Sequence, residues 1–195
     1  MSTMATPTTT GRPFTTDDLE AMPDDGRRYE LVDGELLVSP GPAWRHQEAA
    51  GSLYLALRAA CPNELRVVIA PFAVRPDRHN ELQPGVLVAR YADLTAGGGP
   101  VKALSAAPVL AVEVISPSSR LIDPNLKKAL YARLGVRSFW LIDPDPASPE
   151  LVAYELAAGE YREVARVSGA EPYEAREPFP VTIVPVDLVR GLLPS

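Results

Sequence analysis

Glu113 is a carboxylate set inside an apolar run. Pro108-Val109-Leu110-Ala111-Val112-Glu113-Val114-Ile115 ends at Ser116-Pro117, and such a run predicts a strand buried on both faces of a sheet. An ionised carboxylate there is costly unless something pairs with it. Asp123, Lys127 and Tyr131 follow at helical spacing. A buried acid followed by a helix-borne lysine outlines a metal-and-lysine site. Two plainer roles compete with that one: Glu113 as the partner of a buried arginine, and Lys127 snorkelling at the edge of a core.

The helix itself separates the two neighbouring lysines. Asp123-Pro124 predicts its start, with Asp123 as N-cap and Pro124 in the first turn. Gly135 predicts its end. Leu126, Leu130 and Leu134 form one row and define the expected buried face. At about 100° per residue, Lys127 falls on the border of that face, in reach of Glu113, and Lys128 points to solvent.

The remaining elements read as a frame for this pair. Thr15 and Asp18 form a capping box for a short helix, with Phe14 and Leu19 as a hydrophobic staple. Tyr29 to Val38 is a hairpin turning at Asp33-Gly34, and it carries Glu30 and Glu35. Trp44 to Ala60 is a helix with Ala49, Leu53, Leu55, Leu57 and Ala60 as its expected apolar face, and His46 lies near its start. Leu65 to Val74 is expected as one strand, Arg75 to Gln83 as a turn or loop, and Pro84 to Ala89 as the next strand. Gly97-Gly98-Gly99 is slack. Ser138 to Ile142 is a further buried strand, and Leu151 to Leu156 pairs with Tyr161 to Val167 around Gly159. Strand–helix–strand alternation between antiparallel hairpins predicts an α/β domain.

Composition narrows the function classes. The chain has 195 residues, a net charge of −6 and one cysteine, with a pI near 5.0. One domain is expected over 13–195, after a flexible tail over 1–12 that resembles neither a signal peptide nor an anchor. Cys61 alone forms no intrachain disulfide, and no apolar stretch spans a bilayer. Both point to a cytoplasmic protein. Bulk charge gives no affinity for a polyanion, so nucleic acid would have to meet a local patch. Arg120, Lys127, Lys128, Arg133 and Arg137 could supply one, or simply a solvated helix face. His46 and His79 lack the spacing of zinc ligands. There is no Gly-x-Ser-x-Gly elbow and no phosphate-binding Gly-Lys-Ser/Thr loop.

Several blocks together resemble a known family. Tyr29-Glu30-Leu31-Val32-Asp33-Gly34-Glu35-Leu36, Ser39-Pro40 and Arg45-His46-Gln47 are similar to the start of the Uma-type restriction endonucleases of the PD-(D/E)XK nuclease superfamily. So are Leu82-Gln83-Pro84-Gly85-Val86 and Glu113-Val114-Ile115-Ser116-Pro117-Ser118-Ser119-Arg120. The closest correspondence is Asp123, Lys127, Tyr131 and Gly135-Val136, followed by Phe139-Trp140-Leu141-Ile142-Asp143-Pro144. The resemblance runs from about Phe14 to Leu193. It implies a restriction-endonuclease-like core, a mixed central sheet flanked by helices with antiparallel hairpins at the edges. It also implies Mg²⁺- or Mn²⁺-dependent hydrolysis of DNA phosphodiesters. Glu113 matches the strand glutamate of the metal site, Lys127 a lysine displaced onto the following helix, and Glu30 an N-terminal acid that assists the metal. Arg120, Lys128 and His46 are the implied nucleic-acid contacts. A homodimer through exposed edge strands suits double-strand cutting.

The chain departs from the family pattern at one place. Gly85, in Gln83-Pro84-Gly85-Val86, stands where a metal-binding aspartate is expected. Glycine offers no side-chain oxygen, and losing a carboxylate weakens a hard-cation site. Asp77 or Glu81 could move in from the preceding loop. Two readings stay open: a metal-dependent endonuclease, impaired at Gly85, and a degenerate nuclease fold that binds nucleic acid or protein without cutting. A third, an interaction module unrelated to nucleic acid, draws on the acidic pI.

Overall fold

The computed structural model describes residues 11–115 and 123–192. Arg120, the first ten residues of the expected tail, and the side chain of Asp123 with its expected cap lie outside what is described. The chain builds two main sheets. A five-stranded sheet has the order β2-β1-β5-β4-β7, made of β1 (Arg28–Val32), β2 (Glu35–Ser39), β4 (Ala73–Asp77), β5 (Asn80–Leu82) and β7 (Ala103–Leu104). A six-stranded sheet has the order β11-β10-β9-β8-β6-β3. Its strands are β3 (Leu65–Ile69), β6 (Val86–Arg90), β8 (Leu110–Val114), β9 (Ser138–Asp143), β10 (Glu150–Ala157) and β11 (Glu160–Ser168). The pair β12 (Tyr173–Ala175) and β13 (Val181–Ile183) and a 3₁₀ segment (Pro185–Leu192) complete the chain. The sheets are mixed, with β8 and β9 parallel inside an otherwise antiparallel array, and hairpins lie at the edges, as the fold class anticipates.

Helix α1 (Thr16–Glu20) begins at Thr15, whose backbone N–H donates to Asp18 Oδ2 at 2.8 Å. In the first hairpin Asp33 and Gly34 both take positive φ, 52° and 79°, the conformation a two-residue turn of right-twisted strands requires. A Cβ on Gly34 would meet the Pro13 Cβ at 2.6 Å. That turn therefore needs glycine for space as well as for φ.

Helix α2 (Trp44–Ala60) has the expected bounds and a narrower buried face. Leu55 is 68% exposed and Ala60 is exposed, whereas His46, Ala49, Leu53 and Leu57 are buried. Leu53 and Leu55 are two residues apart and cannot share a helical stripe. The stripe that fits instead begins at His46.

Two further expectations are corrected. Leu65 to Val74 is not one strand: β3 belongs to the six-stranded sheet and β4 to the five-stranded one, with Ala70-Pro71 between them. The polar stretch from Arg75 to Gln83 is a hairpin of β4 and β5 rather than a loop, with Asp77 opposite Asn80. Its polar residues bond one another, Asn80 Nδ2 donating to both Asp77 oxygens at 3.0–3.1 Å. Local polarity there reflects pairing within a hairpin and not exposure of a loop.

Helix α3 (Tyr91–Leu94) follows β6. After β7 and β8 comes a π-helical turn (Asp123–Lys127) that runs into α4 (Lys128–Arg133). Gly135, at φ 78°, follows the end of α4 as expected. Apolar residues on the two faces of the six-stranded sheet form separate cores. One contains Val112, Val114, Trp140 and Ile142 with Leu53 and Leu57 of α2. The other contains Ala111, Phe139 and Leu141 with Leu130 and Tyr131 of α4 and Val32 of β1.

Candidate active site

Strand alternation aims Glu113. Val112 and Val114 pack in the core with α2 and Ala111 in the core with α4, so Glu113 shares the α4 side with Ala111. All five residues of β8 are buried, and Glu113 is 2% exposed. On β1 the same alternation puts Arg28, Glu30 and Val32 on one face. Glu30 is 3% exposed, and its Oε1 accepts the backbone N–H of Gln83 at 2.7 Å.

Lys127 joins the two carboxylates. Its Nζ lies 3.0 Å from Glu30 Oε1, 2.9 Å from Glu30 Oε2 and 3.3 Å from Glu113 Oε2. It is 3% exposed, which corrects the expectation of a border position. The expected Leu126–Leu130–Leu134 row assumed a regular helix. Here the residues ending at Lys127 form a π turn, which changes the angular step, and the buried face runs through Lys127, Leu130 and Tyr131. Leu126 and Leu134 are half-buried. Tyr131, four residues after Lys127, donates its hydroxyl to Glu113 Oε1 at 2.9 Å. Sequence reasoning noted the spacing of Tyr131 without giving it this role; spacing of four from a candidate lysine was the available signal.

Lys128 goes elsewhere. Its Nζ sits 3.4 Å from the centroid of the Tyr154 ring, a cation–π contact on the side of α4 facing β10. Arg133 pairs with Asp33 at 2.7 Å. Of the basic residues of this segment, Lys127 is buried, Lys128 lies on Tyr154, Arg133 pairs with Asp33, and Arg137 is exposed.

Gly85 immediately precedes β6, whose first residue, Val86, pairs with Val112 of β8. A Cβ on Gly85 would lie 3.3 Å from Val114 Cγ2, 3.5 Å from the Val112 carbonyl oxygen and 3.6 Å from His46 Cε1, so a side chain fits with a few tenths of an ångström of adjustment. Gly85 lines a cavity of about 480 Å³ together with Arg28, His46, Gln47, Gln83 and Glu81. His46 is 5% exposed. Its pKa is lowered to about 4, first by burial and then by the charges of Arg28 and Lys127, so the imidazole is neutral at pH 7. Arg28 Nη1 donates to the Gln83 carbonyl at 2.9 Å. Arg28 Nε and His46 Nδ1 are buried without a hydrogen-bond partner.

Neither acid considered as a substitute for the missing aspartate is available. Glu81 is buried and accepts from Arg75 Nε at 2.5 Å. Asp77 is committed to Asn80 and to the His79 N–H.

Among the described residues no three His, Cys, Asp or Glu side chains converge as ligands of one ion. The donors that do converge, Glu30 and Glu113, have the oxygen chemistry a hard divalent cation takes. Both reach one ammonium within 3.3 Å, and Mg²⁺ commonly uses one or two protein carboxylates and completes its shell with water and phosphate. The residues present therefore fit such a cation, with one protein ligand fewer than the family pattern implies.

Comparison with known proteins agrees with this frame. The family model described as "Uma2: Putative restriction endonuclease" matches residues 16–187. No curated protein matches the chain. A solved structure described as "a putative nuclease belonging to DUF820 from Anabaena variabilis ATCC 29413" superposes with a TM-score of 0.71 at 18% identity, covering 93% of this chain and 100% of that one. At that identity the likeness concerns the fold. No helix among the described residues is long and apolar enough to cross a membrane.

Proposed function

The chain belongs to the Uma2 family of restriction-endonuclease-like proteins, and on that premise we propose that it is a divalent-metal-dependent DNA endonuclease working with an incomplete ligand set. The observation that carries this reading is the buried Glu30–Lys127–Glu113 arrangement, with a single ammonium held within 3.3 Å of two carboxylates. Buried charges are rare, and here three of them share one place at the seam of the two sheets.

Each residue has a task in phosphodiester hydrolysis. Glu113 and Glu30 would hold Mg²⁺ or Mn²⁺. When bound, the cation supplies Lewis acidity at a phosphate oxygen and lowers the pKa of a water molecule. Tyr131 fixes the Glu113 carboxylate by donating to Oε1, and the Gln83 N–H fixes Glu30, so neither acid must reorganise on binding. Lys127, held between the two carboxylates, would supply a positive charge that offsets negative charge developing on a bound phosphate. His46 lines the approach from the α2 side. Gly85 contributes no side-chain oxygen, which would lower affinity for the cation.

A second reading rests on the same glycine: a nuclease fold that binds nucleic acid or a protein without cutting. Plasmid cleavage in Mg²⁺ or Mn²⁺ separates the two. Under the endonuclease reading this chain nicks slowly, Gly85→Asp cuts faster, and Glu113→Ala is silent. Silence of both this chain and a folded Gly85→Asp variant would reject it in favour of binding alone. Homodimerisation and a cytoplasmic location belong to this proposal as accompaniments of double-strand cutting.

A further inference from the structure

We infer that Lys127 is an internal competitor of the divalent cation: its ammonium rests on the Glu30–Glu113 pair and withdraws when a cation binds there. The inference rests on the metal-site reading above and adds to it a displacement that cation binding must drive.

Lys127 engages the pair with every donor it has. An ammonium carries three N–H groups, and Lys127 Nζ lies 3.0 and 2.9 Å from the two oxygens of Glu30 and 3.3 Å from Glu113 Oε2. The remaining oxygen, Glu113 Oε1, accepts from the Tyr131 hydroxyl at 2.9 Å. Each carboxylate oxygen of the pair thus already meets a protein donor, and all three charged side chains are buried. A hard cation such as Mg²⁺ takes carboxylate oxygens at about 2.0–2.1 Å, and here they are the oxygens that the ammonium holds. Two cations on one buried pair repel each other with little screening by salt, so occupancy by one works against the other.

The acids keep their places without the lysine. Glu30 Oε1 also accepts the Gln83 backbone N–H at 2.7 Å, and Tyr131 holds Glu113. A lysine stem is flexible, so the charge can leave while the backbone stays. A divalent cation brings two charges where the ammonium brings one, which gives the exchange its direction. Gly85 weakens that drive by withholding a further carboxylate. Competition from Lys127 therefore bears harder on this chain than on the family pattern.

The chain has three lysines, Lys102, Lys127 and Lys128, so each amine can be followed separately. Lys102 is exposed and serves as the internal reference. The full chain is given a short pulse of reductive methylation with and without saturating Mn²⁺, and the sites are read by mass spectrometry. Mn²⁺ binding is read by electron paramagnetic resonance and assigned to the pair by its loss in Glu113→Gln. Labelling of Lys127 is expected to rise about tenfold with Mn²⁺, with Lys102 unchanged. Mn²⁺ affinity is expected to rise about tenfold in Lys127→Met. Lys128→Met removes a neighbouring charge that sits on Tyr154, and it is expected to leave the affinity unchanged. Mn²⁺ bound by Lys127→Met and not by the native chain also supports the competition. Mn²⁺ bound with Lys127 still protected, or an affinity unchanged in folded Lys127→Met, overturns the competition and leaves the metal reading standing. Absence of Mn²⁺ from the native chain, Lys127→Met and Gly85→Asp alike rejects the metal reading and this inference with it. Should Lys127→Met fail to fold, labelling of the native chain decides alone.

Discussion

The two sides of Glu113 are built on opposite principles. Toward α4, the site's polar groups are partnered: Lys127 meets both carboxylates, Tyr131 holds Glu113, and the Gln83 N–H holds Glu30. Toward α2, Arg28 and His46 are among the residues that line the cavity at Gly85, and Arg28 Nε and His46 Nδ1 are buried without a hydrogen-bond partner. Such contrast is informative because buried polar groups are ordinarily satisfied. The satisfied side behaves as a structural unit whose members depend on one another. The unsatisfied side lies where this chain has Gly85 and the family pattern puts a carboxylate.

The largest expected effect breaks the satisfied side. Lys127→Met removes the cation that two buried carboxylates share, and breaking a buried pair in this way costs about 3–5 kcal/mol. Urea unfolding at pH 7 should show that loss, together with loss of any cleavage. Recovery of stability on adding Glu113→Gln to Lys127→Met would identify charge rather than packing as the cause.

Next comes the pH dependence of the unsatisfied side. Folding lowers the His46 pKa from 6.5 to about 4, so between those values the unfolded chain binds more protons than the folded one. Stability is then complete above pH 6.5 and is lost as pH falls toward 4. The ceiling is about 3 kcal/mol. Unfolding measured at pH 7 and pH 4.5 should show this slope in the native chain and a flatter one in His46→Gln.

Tyr131→Phe is a smaller change on the paired side. It deletes one hydrogen bond to a charged acceptor and costs about 1.5–3 kcal/mol. A value near zero would mean that Glu113 is held adequately by its other partners. The smallest effect is expected outside both regions. Lys128→Ala removes the contact over Tyr154 and should cost about 0.5–1 kcal/mol with cleavage unchanged. A large loss of cleavage would bring Lys128 back as a nucleic-acid contact despite its position.

Much of this was legible in local sequence. Glu113 announces itself as a charge in a buried strand, and the Asp33-Gly34 and Gly159 turns fix two hairpins. The bounds of α2 follow from its pattern. Other features were not legible for identifiable reasons. The burial of Lys127 depends on a π turn, and local spacing gives a regular helix instead. The hairpin from Ala73 to Leu82 hid behind polar residues that bond one another. His46 looked like an isolated residue at a helix start until its place on the Ala49–Leu53–Leu57 stripe was seen to be the buried one.

Sequence by itself determined which groups were available: one acid in a buried strand, a lysine and a tyrosine four residues apart, and a glycine where the family pattern has aspartate. Those are matters of covalent identity and local periodicity. Only the tertiary structure decided that Glu30, 83 residues before Glu113 in the numbering, shares its ammonium, and that Arg28 and His46 line the cavity at Gly85. Those contacts join separate sheets and helices, and no period along the chain encodes a distance between elements that meet only when both cores have packed.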